Sequence, residues 1–134
     1  MIISKSITFA AAHRLLEHAG KCRFLHGHTY EAEIVLEGDV GASGFVVDFG
    51  DIRAKVGAWI AEHWDHATLA ARADVALVAF CEAHSAGRVY VFEGPPTAEN
   101  IAVELLAIAR SVLAPAKVVS VRVRETESCC AEAS

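Results

Sequence analysis

The chain has 134 residues, 54% of them hydrophobic, and a net charge of −5. One domain with an ample core accounts for that length, and a second is not expected. There is no apolar run of eighteen residues and no basic cluster, which argues against a membrane span and against nucleic acid or an anionic membrane as the main partner.

The opening MIISKSITFA has too short an apolar stretch and too little basic character for a secretory signal, so a soluble cytoplasmic protein is expected. Residues 2–13 alternate, with Ile3, Ile7, Phe9 and Ala11 on one face and Ser4, Ser6 and Thr8 on the other. This is the period of a half-buried strand, interrupted by Lys5. Residues 28–37 repeat the pattern, with Tyr30, Ala32, Ile34 and Leu36 against Thr29, Glu31, Glu33 and Glu37. After the glycine-rich turn 38–44, Asp48 can cap a helix over 50–63, where Ile52, Val56, Trp59, Ile60 and Trp64 keep helical spacing. Residues 72–86 are alanine-rich and closed by Gly87, which predicts a further short helix.

Arg88 to Glu93 is β-branched and aromatic, a strand stopped by Gly94-Pro95-Pro96. Thr97 opens another helix, with Ile101, Leu105, Ile108 and Val112 on one stripe ending before Pro115. The last predicted strand, 117–127, puts Val119, Val121 and Val123 on one face, and the polar tail 128–134 shows no periodicity and is expected to be loose. The order β-β-α-(α)-β-α-β predicts an α+β domain spanning residues 1–134, a sheet with helices on one face.

His26-Gly27-His28 stands in front of the second strand. In an extended backbone, residues i and i+2 point the same way, about 7 Å apart. Counting back from Leu36 in steps of two reaches His28 and then His26, and His13 is in phase with Ile7, Phe9 and Ala11. A hairpin would gather the three imidazoles at one end of the apolar face. Three nitrogens with a fourth position open is the arrangement of a catalytic zinc site. A lone HxH is more often a turn carrying two surface histidines; the third histidine in phase is what favours the metal.

Cys22, flanked by Lys21 and Arg23, is placed to act as a base or nucleophile, with a fourth zinc ligand as the competing reading. Cys81 lies among helical alanines and reads as a small hydrophobe. The four cysteines, with Cys129 and Cys130, have no framework spacing and are not expected to form disulfides. Asp65-His66 offers a second acid–base pair, in which the carboxylate can hold one imidazole tautomer. Glu125 is in phase with Val119, Val121 and Val123, so it puts a carboxylate at the end of an apolar face, where it needs donors. A ring with a paired N–H edge, such as a pterin, would satisfy it. The alternative is a solvated glutamate at a strand end.

The segments FAAAHRL (9–15), CRFLHGH (22–28), VVDFGDI (46–52), DHATL (65–69), PPTAENIA (95–102) and RETE (124–127) run in order over nearly the whole sequence. Together they resemble the 6-pyruvoyl-tetrahydropterin synthase family. The three residues between Cys22 and the HGH resemble its bacterial 6-carboxy-tetrahydropterin synthase branch, which serves queuosine and other deazapurine pathways. The resemblance implies a tunnelling fold (T-fold): four antiparallel strands with helices on one side, trimers closing a barrel, and two trimers stacked as a homohexamer with active sites at subunit interfaces. It implies Zn2+ on His13, His26 and His28, Cys22 as the base, Asp65 and His66 as a proton relay, Glu125 as the pterin anchor and Thr97 as a substrate-binding contact. The implied reaction is zinc-dependent conversion of 7,8-dihydroneopterin triphosphate to 6-carboxy-5,6,7,8-tetrahydropterin, releasing triphosphate and acetaldehyde. The tail ESCCAEA departs from the branch pattern. This leaves open the sister lyase that stops at 6-pyruvoyl-tetrahydropterin, beside a non-catalytic zinc-binding protein of the same fold. Arg14, Lys21 and Arg23 are candidate contacts for the triphosphate, because an acidic protein needs a local cationic patch to hold it.

Overall fold

The computed structural model describes residues 1–134. Strands β1 (Ile2–His13) and β2 (His26–Glu37) form the long hairpin that their alternation predicts, in a register that sets His13 opposite His26 and Ala11 opposite His28. Helix α1 (Phe49–Ile52), capped by Asp48 through Gly50 N–H, runs on through a π-helical turn (Arg53–Gly57) into α2 (Ala58–His63). Then come β3 (Ala67–Ala71), α3 (Val75–His84), β4 (Val89–Phe92), α4 (Ala98–Val112), β5 (Lys117–Thr126) and β6 (Cys129–Ala133).

The sheet has six strands in the order β4-β3-β1-β2-β5-β6, not the four expected. Two of them were not anticipated from composition. β3, ATLAA, is short and four of its five residues are buried, so it lacks the alternation that marks a half-exposed strand. β6 lies in the tail expected to be loose. It carries no β-branched or aromatic residue and is held by antiparallel pairing with β5, as in Val123 opposite Ala131.

The sheet is also mixed rather than antiparallel. β3 runs parallel to both β1 and β4, because each of those junctions is made through a helical crossover and not a hairpin. The strand expected over 88–93 therefore belongs to a parallel β3-α3-β4 unit, and the antiparallel half of the sheet is β1, β2, β5 and β6.

The expectation of helices on one face fails at the same unit. Leu69, Tyr90 and Phe92 join the main core of α1, α2 and α4, whereas Ala70 and Val89, one residue out of phase, pack with Leu77, Val78 and Cys81 of α3. Side chains alternate across a strand, so α3 covers the opposite face.

The main core centres on Trp64, Tyr30, Ile34, Leu36, Ile60, Ile101 and Leu105, all fully buried, each aliphatic one contributing about 2 kcal/mol. Phe9 stacks on Tyr30 with ring centroids 5.2 Å apart. This aromatic pair lies next to the histidine end of the hairpin, with Tyr30 edge-on to His13 and His28.

Candidate active site

The β1–β2 register brings His13, His26 and His28 to one end of the core face, where one nitrogen from each lies within 4.8 Å of the others. The ring of His13 is T-shaped to that of His28 and tilted against that of His26, with centroids 5.1 and 4.7 Å apart. His13 is 2% exposed, and its burial pushes the imidazole below its usual range, which favours the neutral form that binds metals. Its Nδ1–H donates to the carbonyl of Pro96 at 2.8 Å, and Nδ1–H of His26 donates to the carbonyl of Phe24 at 2.7 Å. A carbonyl can only accept, so both rings keep Nε2 free as the ligand atom. This outer hydrogen bonding orients imidazoles in metal centres. The donor set suits a first-row divalent ion such as zinc with a fourth position left open.

The converging set consists of the three histidines alone. Cys22 lies on a 3₁₀ turn over Lys21–Arg23, half-buried and tied to the end of β1 by a Leu15 N–H bond to its carbonyl at 2.8 Å. Glu125 comes next to the histidines: its Oε1 is 3.7 Å from His13 Nε2, and its side chain is 21% exposed. It opens on a cleft it shares with Thr97, Leu15, Cys129 and Cys130. Thr97 accepts from Asn100 N–H as the cap of α4, which fixes the preceding Pro96 carbonyl on His13. Tyr30, fully buried between Phe9 and the histidines, leaves its hydroxyl without a partner; burial, and then the charge of Glu125, pushes this phenol far above its ordinary range.

Asp65 and His66 form a pair, His66 Nδ1–H donating to Asp65 Oδ1 at 3.0 Å. The Ala10 N–H also donates to that oxygen, at 2.9 Å. This bond, aided by His66, holds the Asp65 carboxyl below its usual range. The structure does not bring the pair into the converging cluster of the three histidines. His66 is 80% exposed and opens on a cleft lined by Ala10, Ala12, Thr29 and Thr68, which are out of phase with His13, His26 and His28, and also by Ala11 and by His28 itself.

Arg14 is withdrawn from the set of anion contacts. Its guanidinium makes a two-pronged bond to the buried Asp74, both distances 2.6 Å, and Asp74 in turn caps α3 through Leu77 N–H. Lys21 and Arg23 remain exposed beside Cys22, Arg23 stacking over Phe24 at 4.8 Å. Sequence reasoning missed the carbonyls of Pro96 and Phe24. Backbone groups carry no residue-type signal, so nothing in the composition could have pointed to them.

A family model described as 6-pyruvoyl tetrahydropterin synthase matches residues 2–134. The sequence is 38% identical over 103 residues to the 6-carboxy-5,6,7,8-tetrahydropterin synthase of Rickettsia bellii, covering 76% of this protein and 75% of that one. It is 41% identical over 101 residues to a probable 6-carboxy-5,6,7,8-tetrahydropterin synthase of Halobacterium salinarum, covering 75% and 64%. The structure of 6-pyruvoyl tetrahydropterin synthase from Caenorhabditis elegans superposes with a TM-score of 0.77 at 23% identity, over 99% of this protein and 94% of that one. At that identity the likeness speaks for the fold.

Proposed function

The chain belongs to the 6-pyruvoyl tetrahydropterin synthase family of lyases, and from that premise we propose that it converts 7,8-dihydroneopterin triphosphate, with uptake of water, to 6-carboxy-5,6,7,8-tetrahydropterin, triphosphate and acetaldehyde. The observation that carries this reading is the convergence of three imidazole nitrogens within 4.8 Å, with a carboxylate 3.7 Å from one of them. Relatives that bear the name of the carboxy-forming enzyme in both bacteria and an archaeon favour that product over the pyruvoyl one.

His13, His26 and His28 would hold zinc, which when bound supplies a Lewis acid that makes the hydroxyls on the substrate's side arm more acidic. Glu125 accepts the paired N–H groups of the pterin ring, and these satisfy a carboxylate set at the edge of an apolar face. Cys22, outside the ligand set, takes a carbon-bound proton from the same side arm. Asp65 holds His66 in the tautomer whose free Nε2 exchanges protons with the substrate.

Because His66 is 80% exposed and lies outside the histidine cluster, the relay serving one triad comes from a second copy of the protein. This supports the reading of a homohexamer with shared sites. The test is product analysis: zinc-loaded protein given dihydroneopterin triphosphate should form acetaldehyde and 6-carboxy-tetrahydropterin in equal amounts. Accumulation of 6-pyruvoyl-tetrahydropterin without acetaldehyde would assign the sister reaction, and no turnover would leave a metal-binding protein.

A further inference from the structure

Beyond the residues already given roles, the turn that carries Asp65 and His66 is gripped from outside by one arginine. Arg88 Nη1 donates to the carbonyl of Glu62 at 2.8 Å, and Nη2 donates to the carbonyls of Ala61 at 2.8 Å and Asp65 at 2.6 Å. These oxygens belong to the end of α2 and the turn after it, where helix carbonyls run out of backbone partners, and a cation there also complements the helix dipole. Arg88 is in no ion pair with an acidic residue, so its guanidinium is committed to this turn.

The turn needs such a grip. His66 sits at φ = 58°, a left-handed conformation that is costly for a residue with a Cβ and persists only where the surroundings enforce it. On the inner side the turn is fixed by β1: the His66 N–H donates to the Ala10 carbonyl at 2.6 Å, and the Ala10 N–H donates to Asp65 at 2.9 Å. The first of these contacts is backbone to backbone, and the second uses the Asp65 carboxylate itself. On the outer side the peptide joining Asp65 to His66 is held by Arg88. The base of Arg88 is itself pinned, since its N–H donates to Ser85 and its carbonyl accepts from Thr68 N–H, two residues past His66.

From this geometry we infer that Arg88 is a positioning residue for the reaction: by holding the Asp65 carbonyl it sets the left-handed turn that keeps the His66 ring on the Asp65 carboxylate. Arginine suits the task because its planar fork reaches three acceptors at once, which a single ammonium does less well. The inference rests on the proposed relay role of the Asp65–His66 pair.

The experiment has two arms, both on the full zinc-loaded protein. In the first, Arg88→Ala should lower kcat about tenfold, with KM and zinc per subunit changed less than about twofold. Arg88→Lys should recover part of that loss. Placed on His66→Ala, Arg88→Ala should cost nothing further, since a residue that acts through His66 has nothing left to position. An equal loss in both backgrounds, or a loss confined to KM, would overturn the inference. In the second arm, nitrogen NMR of 15N-histidine protein, with His66→Ala for assignment, reads the ring tautomer of His66 directly. The Nδ1–H form should dominate in the parent and give way to a mixture in Arg88→Ala; an unchanged ratio would overturn the inference. If His66→Ala keeps full turnover, the relay reading falls, while the NMR arm still judges whether Arg88 sets the ring.

Discussion

The antiparallel register of β1 and β2 brings one nitrogen each of His13, His26 and His28 within 4.8 Å of the others. His28→Ala should therefore reduce bound zinc from about one per subunit to a small fraction of that by metal analysis, since two imidazoles alone make a weak site. Cys22 separates the two readings its position left open. As the base it can be replaced by Ala with zinc retained near one per subunit, while turnover falls about a hundredfold or more; loss of metal together with activity would make it a ligand. Glu125→Ala should act chiefly on KM, because its proposed partner is the ring and the proton-transfer groups stay in place. A kcat loss equal to that of Cys22→Ala would give the carboxylate a part in the chemistry instead.

Among the elements, α3 shows how a local signal and a tertiary one combine. Its alanine-rich sequence predicts a helix over 72–86, yet the helix begins only at Val75, because Asp74 caps it and is at the same time locked to Arg14 sixty residues earlier in the sequence. The Arg14 hydrogen bonds hold the Asp74 carboxyl well below its ordinary range. A carboxylate depressed in the native state stabilises the fold at any pH above its unfolded value of about 3.9, and that contribution is lost as pH falls through the native value. Asp74→Asn should cost on the order of 2 kcal/mol at pH 7. In melts followed by circular dichroism, the variant should also lose less stability than the parent between about pH 4 and pH 2, since it has no carboxylate there to protonate. Parallel pH profiles would show that the pair does not carry the acid sensitivity.

For the whole molecule, the relevant fact is that the Asp65–His66 pair lies outside the histidine cluster and that His66 is 80% exposed. If sites are shared between copies, His28→Ala and His66→Ala proteins, each with turnover far below the parent's, should regain activity when mixed and reassembled, because roughly a quarter of the sites would then combine an intact triad with an intact relay. Recovery is not expected if each subunit forms its own site. Light scattering should give the mass of a hexamer, and a monomer at micromolar concentration would contradict the proposed assembly and the shared site together.

What the sequence determined by itself was whatever repeats within one element: the alternation of β1 and β2, that of β5 from Val121 onward (an irregularity in its pairing with β2 puts Val118 rather than Val119 in the core), the helical stripe of α4 with its Thr97 cap, and through them the histidine triad and Glu125. Pairing between distant segments decided the rest. Cys129–Ala133 is a strand only because β5 offers it an edge, and Ala67–Ala71 only because β1 and β4 flank it. Neither has an intrinsic preference strong enough to declare itself. The face each element occupies was likewise settled by burial of both Leu69 and Ala70 on one short strand, which drew α3 to the far side of the sheet. The commitment of Arg14 to Asp74 and of Arg88 to three carbonyls also had no local signature, because an arginine's partner depends on which distant acceptors the fold brings within reach of its fork.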